Sequence, residues 1–134
     1  AAGGGGVPVI RRDGKFRGVE AVIDKDRAAV VLAKQLRARR LIALTSVDRV
    51  SLDFGKATQR PLDEISAADA ARHLREGQFP SGSMGPKIEA AIDFVGHGGE
   101  EAIITSPENL LAAVEGKAGT HIRARVVDHE PEWV

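Results

Sequence analysis

Leu41-Ile42-Ala43-Leu44 and Ala102-Ile103-Ile104-Thr105 decide the fold. Each is an apolar run of strand length with no polar residue at every second place, the pattern of a strand covered on both faces. Such strands belong to parallel sheets, whose crossovers are helices. Working outward, Asp24 is placed to cap a helix whose Ala28, Val31, Leu32 and Leu36 recur at three-and-four spacing and predict one buried face. Arg37, Arg39 and Arg40 close that helix, where cations suit the dipole. Ser66 caps a second helix through about Glu76, with Gly77 as its stop. A third runs from about Pro86 to Val95, with proline in the first turn where its missing amide costs nothing. Residues 109–115 form a short fourth. Residues 7–10 and 16–23 read as extended stretches around a turn, residues 119–122 as an edge strand, and residues 62–65 stay undecided. Buried strands alternating with amphipathic helices predict an α/β domain, a three-layer αβα sandwich with a mainly parallel sheet.

Composition bounds the function. At 134 residues the chain can build one core and not two. Nineteen basic residues balance nineteen acidic ones, which argues against an electrostatically driven nucleic-acid binder. Aromatics at 4% leave little for a base-stacking platform. No apolar run approaches the roughly 18 residues of a membrane span, and no signal peptide opens the chain. Zero cysteines exclude disulfides and thiolate metal sites and fit a cytoplasmic protein.

Three segments have the composition of an anion site at the carboxyl ends of strands. Gly3-Gly4-Gly5-Gly6 permits close backbone approach and several amides aimed at one anion, or is simply a flexible start. In Asp24-Lys25-Asp26 the acids suit a helix N-terminus, whereas the lysine opposes the dipole, so capping and phosphate binding both remain open. Gly82-Ser83-Met84-Gly85-Pro86-Lys87 is a glycine-rich loop opening a helix, with a lysine where an acid would be expected. Lys87 reads equally as a solvated helix residue or an anion ligand. His73, His97, His121 and His129 have no metal-ligand spacing and read as surface residues. Ser46, Ser51 and Ser83 lack a nucleophile-elbow context. The residues alone thus suggest an anionic, phosphorylated ligand without identifying it.

Longer strings are more specific. Residues 3–10 (GGGGVPVI), 18–26 (GVEAVIDKD), 54–56 (FGK), 76–79 (EGQF), 82–91 (GSMGPKIEAA), 102–106 (AIITS) and 116–120 (GKAGT) resemble carbamate kinase, of the amino acid kinase superfamily, in the same order. The resemblance covers the chain to about Ile122 and is to the C-terminal, nucleotide-binding half of a family more than twice as long. It implies a kinase-like domain over residues 1–122 and an extension over 123–134 that includes Glu130-Pro131-Glu132-Trp133. It also implies a fragment or half-kinase, inactive in isolation.

The implied reaction is reversible phosphoryl transfer between carbamoyl phosphate and ADP, giving ATP and carbamate, with Mg2+ accompanying the nucleotide. Lys87, Lys25 and Asp26 would be catalytic, and Gly4, Gly5 and Gly6 would border the carbamoyl phosphate. Thr45, Ser46, Ser83, Met84 and Lys87 would meet the nucleotide. A cytoplasmic homodimer serving arginine metabolism, free of nucleic acid and membrane, completes the expectation. A non-catalytic nucleotide-binding or regulatory half-kinase module is the alternative, and phosphorylation of an amino acid carboxylate is made less fitting by the 82–87 string. Three positions depart from the family: Ser46 stands where an aspartate by the nucleotide is customary, Arg49 where a smaller residue is common, and Ala57 where proline follows Gly55-Lys56.

Overall fold

The computed structural model describes residues 1–4 and 6–125. In chain order the elements are β1 (Val9–Arg12), β2 (Lys15–Gly18), α1 (Lys25–Gln35), β3 (Arg40–Leu44), β4 (Ser51–Leu52), β5 (Arg60–Pro61), β6 (Glu64–Ser66), α2 (Ala67–Arg75), α3 (Met84–Gly96), β7 (Glu101–Thr105), α4 (Leu110–Val114) and β8 (Thr120–Arg123). Four strands make the main sheet in the order β3-β7-β8-β6. β3 runs parallel to β7 with Arg40 opposite Glu101 and Leu44 opposite Thr105, β6 runs parallel to β8, and β7 meets β8 antiparallel. The sheet is therefore mainly parallel, as expected. β1 pairs with β2, and β4 with β5, as separate two-stranded ribbons.

The core lies between one face of the sheet and the helices. Ala102, Ile104, Ile122 and Ile65 pack there with Ile88, Ala91 and Phe94 of α3 and with Val30 of α1. Ile103 and Ala113 are buried outside that cluster, because alternate strand residues point to opposite faces and α4 packs against β7 from the other side. Helices on both faces give the αβα layering. Residue-level caps form as the sequence predicts: Asp24 accepts from Arg27 N at 2.9 Å, and Ser66 Oγ from Asp69 N at 3.0 Å. Gly77 takes a positive φ of 74°, the left-handed stop that a side chain would oppose.

Several expectations are corrected. β7 is buried throughout, but in β3 Leu41, Ile42 and Ala43 are half-buried and Leu44 is exposed, so the run is not fully covered, and among the described residues β3 lies at the edge of the sheet. An apolar run does not reveal whether a lateral neighbour exists. β8, expected at an edge, is an interior strand between β7 and β6. On α1 the buried residues are Val30 and Ala33, whereas Val31, Leu32 and Leu36 are exposed by 56%, 42% and 69%. The helix rests mainly on α3 and only lightly on β3, so the stripe with the strongest periodicity projects past the edge of the sheet. Helix α3 begins at Met84, two residues ahead of Pro86, and α1 ends before Arg37, Arg39 and Arg40. Arg39 and Arg40 pair instead with Glu100 and Glu101. The second extended stretch is strand only over Lys15–Gly18. Residues 126–134, which hold most of the expected extension, lie outside the described residues.

Candidate functional site

Helices α1 and α3 start side by side, and their first turns bring three charged groups together. Asp24 is occupied as the cap, which leaves Asp26 free to turn inward. Lys87 Nζ donates to Asp26 Oδ2 at 3.1 Å, and Lys25 Nζ sits 3.3 Å from the same carboxylate. The side chains of Lys87 and Asp26 are only 10% and 13% exposed, whereas Lys25 is 53% exposed. The reading of Lys87 as a solvated helix residue is thereby overturned. One carboxylate thus tethers two cations at the mouth of a cavity of about 330 Å³. Ala1, Ala2 and Gly3 close one end of that cavity, and apolar residues of β3, β7 and α3 line its floor.

The N-terminus of α3, with Ser83 at the cap position, carries neither a side-chain cap nor an acid in its first turn. The positive end of the dipole lies there, although Ser83 N and Gly85 N both donate to Pro80 O and Pro86 has no amide hydrogen. The loop folds tightly back on itself, with Gly85 N donating to Pro80 O at 2.8 Å. A Cβ on Gly85 would stand 3.1 Å from that oxygen, a tight contact that favours glycine.

A second cavity, of about 230 Å³, begins where the first leaves off along β3: Leu44 lines one and Thr45 the other. Thr45, Ser46, Ser83 and Met84 all line it, so four of the five residues assigned to a nucleotide from the sequence converge. The fifth, Lys87, is one helical turn along α3 from Ser83 and Met84 and faces the first cavity. Gly4, next to Gly3 in the chain, and Gly6 line neither cavity, and Gly5 lies outside the described residues.

Phe54, Phe79 and Arg49 also line the second cavity, although no role was assigned to them from the sequence. Phe79 is buried and Phe54 is exposed by 60%. The signal for the aromatics was their place beside glycine-containing turns in a chain with few aromatics. Nearby, Ser106 Oγ donates to Asp48 at 2.6 Å and ties the loop after β3 to the loop after β7. That bond, and a second from Asn109, hold the Asp48 carboxyl below the ordinary aspartate range.

Of the histidines expected at the surface, His121 is a correction: it is 7% exposed. It belongs to interior strand β8, where Nδ1 lies 2.9 Å from Glu101 Oε1 and Nε2 lies 3.0 Å from Ala118 O. Arg123 and Arg40 also reach Glu101. His97 is exposed, His73 half-buried, and His129 outside the described residues. Among the described residues no three His, Cys, Asp or Glu side chains gather as a metal site.

The chain is similar in sequence and fold to known proteins. The model of the amino acid kinase family matches residues 2–106. The chain is 49% identical over 122 residues to the carbamate kinase-like protein YahI of Escherichia coli (strain K12), covering 90% of the chain and 39% of that protein. It is 50% identical over 122 residues to carbamate kinase of Thermoplasma volcanium, covering 91% and 40%. Carbamate kinase from Giardia lamblia bound to AMP-PNP superposes with a TM-score of 0.83 at 41% identity, over 89% of the chain and 38% of that structure. The chain therefore spans about 40% of the length of the curated relatives it matches.

Proposed function

The chain belongs to the amino acid kinase family, and from that premise we propose that it is the nucleotide-binding part of a carbamate kinase. The protein that carries it transfers a phosphoryl group between carbamoyl phosphate and ADP. The observation that carries this reading is the Lys25–Asp26–Lys87 cluster at the first cavity, beside the uncapped start of α3 and a second cavity lined by two phenylalanines. In the direction of ATP, the terminal oxygen of ADP forms a bond to phosphorus, and the bond from phosphorus to the carbamate oxygen breaks. Negative charge spreads over the transferred group meanwhile. Lys87 is buried and already oriented by Asp26, so its charge acts in a poorly solvated place without reorganising.

In this reading Lys25 is the second, more exposed cation. Thr45, Ser46, Ser83 and Met84 meet the ribose and base, and Gly4 to Gly6 border the carbamoyl phosphate. The residues fit a magnesium nucleotide: the two lysines meet the phosphates, and the aromatic cavity meets the base. Magnesium is bound through one or two carboxylates together with substrate phosphates, and Asp26 is the carboxylate at hand. The metal would neutralise phosphate charge there. The kinase-like unit covers residues 1–122, and residues 123–134 are an extension. A cytoplasmic homodimer in arginine metabolism is part of the same proposal.

The test is ATP formation from ADP and carbamoyl phosphate by the full polypeptide that carries these residues. Lys87→Ala should cost at least about 100-fold in rate. A polypeptide that folds, binds both substrates and makes no ATP contradicts the reading. The share of the relatives' length favours a second reading of the chain alone, a module that binds nucleotide without turnover. Sustained ATP formation by the isolated chain would exclude it.

A further inference from the structure

The ribbon of β1 and β2 lies outside the site described above. Its strand residues are all exposed, and among the described residues no helix or other strand packs on it more than marginally. Asp13 and Gly14 take positive φ of 51° and 75°, a two-residue turn that matches the strand twist and fixes the register. Ile10 stands opposite Arg17 and Arg12 opposite Lys15, so three cations share one face. Arg11 and Phe16 share the other, with the guanidinium 5.9 Å from the ring centre. Like charges directly opposite each other destabilise a strand pair. Among the described residues none of these four cations lies within ion-pair distance of a carboxylate. Neither outer edge of the ribbon has a neighbouring strand among them either. Charge to neutralise and an edge to pair suit an extended acidic segment.

The chain itself holds such a segment. Residues 9–18 carry four cations and one acid, a net +3 in a chain whose total is zero. Residues 126–134, outside the described residues, carry Asp128, Glu130 and Glu132 and no lysine or arginine, a net −3. These acids recur at every second residue. In an extended segment all three share one face about 7 Å apart, the spacing of Lys15 and Arg17 along β2. Pro131 falls at the alternate place, where its missing amide would be on the side away from the ribbon, as an edge strand tolerates. Trp133 alternates with the acids too, which puts it on the face of Arg11 and Phe16, and a guanidinium attracts such a ring. Segment and ribbon leave opposite ends of the molecule. β8 stops at Arg123, which pairs with Glu101 at the start of β7, level with the start of β3. The ribbon leads to the start of α1, a helix length of about 16 Å from there. Two copies exchanging segments satisfy that geometry more readily than one chain folding back.

We infer that the β1–β2 ribbon is the docking site for residues 126–134 of a second copy of this chain, which add to β2 as an edge strand, each copy giving and receiving one segment. Trp133 is the one tryptophan of the chain, so its fluorescence reports that segment alone. Acrylamide quenching is measured for the unaltered chain, for Lys15→Glu with Arg17→Glu, and for Asp128→Lys with Glu130→Lys. Thermal melts establish that each is folded. Trp133 of the unaltered chain should be shielded, and the shielding should weaken at about 1 M salt, where the charges are screened. Each reversed chain alone should lose it, because ribbon and segment then repel. An equal mixture of the two should regain it, since each ribbon again meets an opposite charge on the other chain. Trp133 quenched as freely as in a peptide of residues 126–134, or shielding that neither reversal alters, overturns the inference. A mixture that stays unshielded would mean that the segment docks on its own chain, and overturns the exchange.

Discussion

At the scale of single residues, Asp26 does more than its position suggests. From the sequence it is one of two acids at a helix start, and capping explains both. The structure divides the work, with Asp24 capping and Asp26 holding Lys87 in a place where neither charge is well hydrated. Asp26→Ala leaves a buried ammonium unpaired and should destabilise the chain by about 3 kcal/mol, measured by denaturant unfolding. Asp24→Ala removes only a cap and should cost about 1 kcal/mol.

Glu101 supplies the residue-scale prediction for pH. Burial pushes its carboxyl up, but the hydrogen bonds and charges of His121 and Arg123 outweigh that and hold it below the ordinary glutamate range. A carboxyl depressed in the folded state contributes stability above its unfolded value and loses it as pH falls. Thermal stability should therefore decline from about pH 5 downward, and Glu101→Gln should be less stable at neutral pH with a shallower acid decline. An acid decline equally steep in Glu101→Gln would contradict the assignment.

At the scale of elements, what could be read from the sequence was whatever depends on neighbours in the chain. Ser66 and Gly77 bracket α2 because a hydroxyl at the cap and a left-handed residue at the stop act within one turn. Ser66→Ala should cost about 1 kcal/mol in an unfolding titration. The buried face of α1 was misread because a repeat of apolar residues shows that a face exists, not what covers it. Val30 and Ala33 are buried, whereas Val31, Leu32 and Leu36 remain partly exposed. Exposed apolar area of that kind promotes association. Leu32→Glu with Leu36→Glu should shift the chain towards monomer in sedimentation equilibrium while leaving the melting temperature within a few degrees. A pair of substitutions that unfolds the chain would show instead that the stripe is packed. Likewise β3 was read as covered because its side chains are apolar, although its outer edge has no neighbouring strand among the described residues.

At the scale of the whole molecule, the αβα class and parallel pairing were legible because strand and helix signals alternate along the chain. Strand order was not, since it depends on contacts between distant segments: β8 entered the middle of the sheet by pairing with both β7 and β6. The site was legible in its glycine-rich loop and lysines, whose types oppose what an ordinary helix start would hold. It was illegible in Arg49, Phe54 and Phe79, which reach one cavity from three separate loops. The central claim is that these parts make a working nucleotide site, and calorimetric titration of the chain with MgADP, beside Lys87→Ala, tests it most directly. The account predicts saturable one-to-one binding that weakens at least about tenfold in the variant, as loss of a charged contact to phosphate should. Equal affinity in the two proteins, or no binding by the folded unaltered chain, would contradict it.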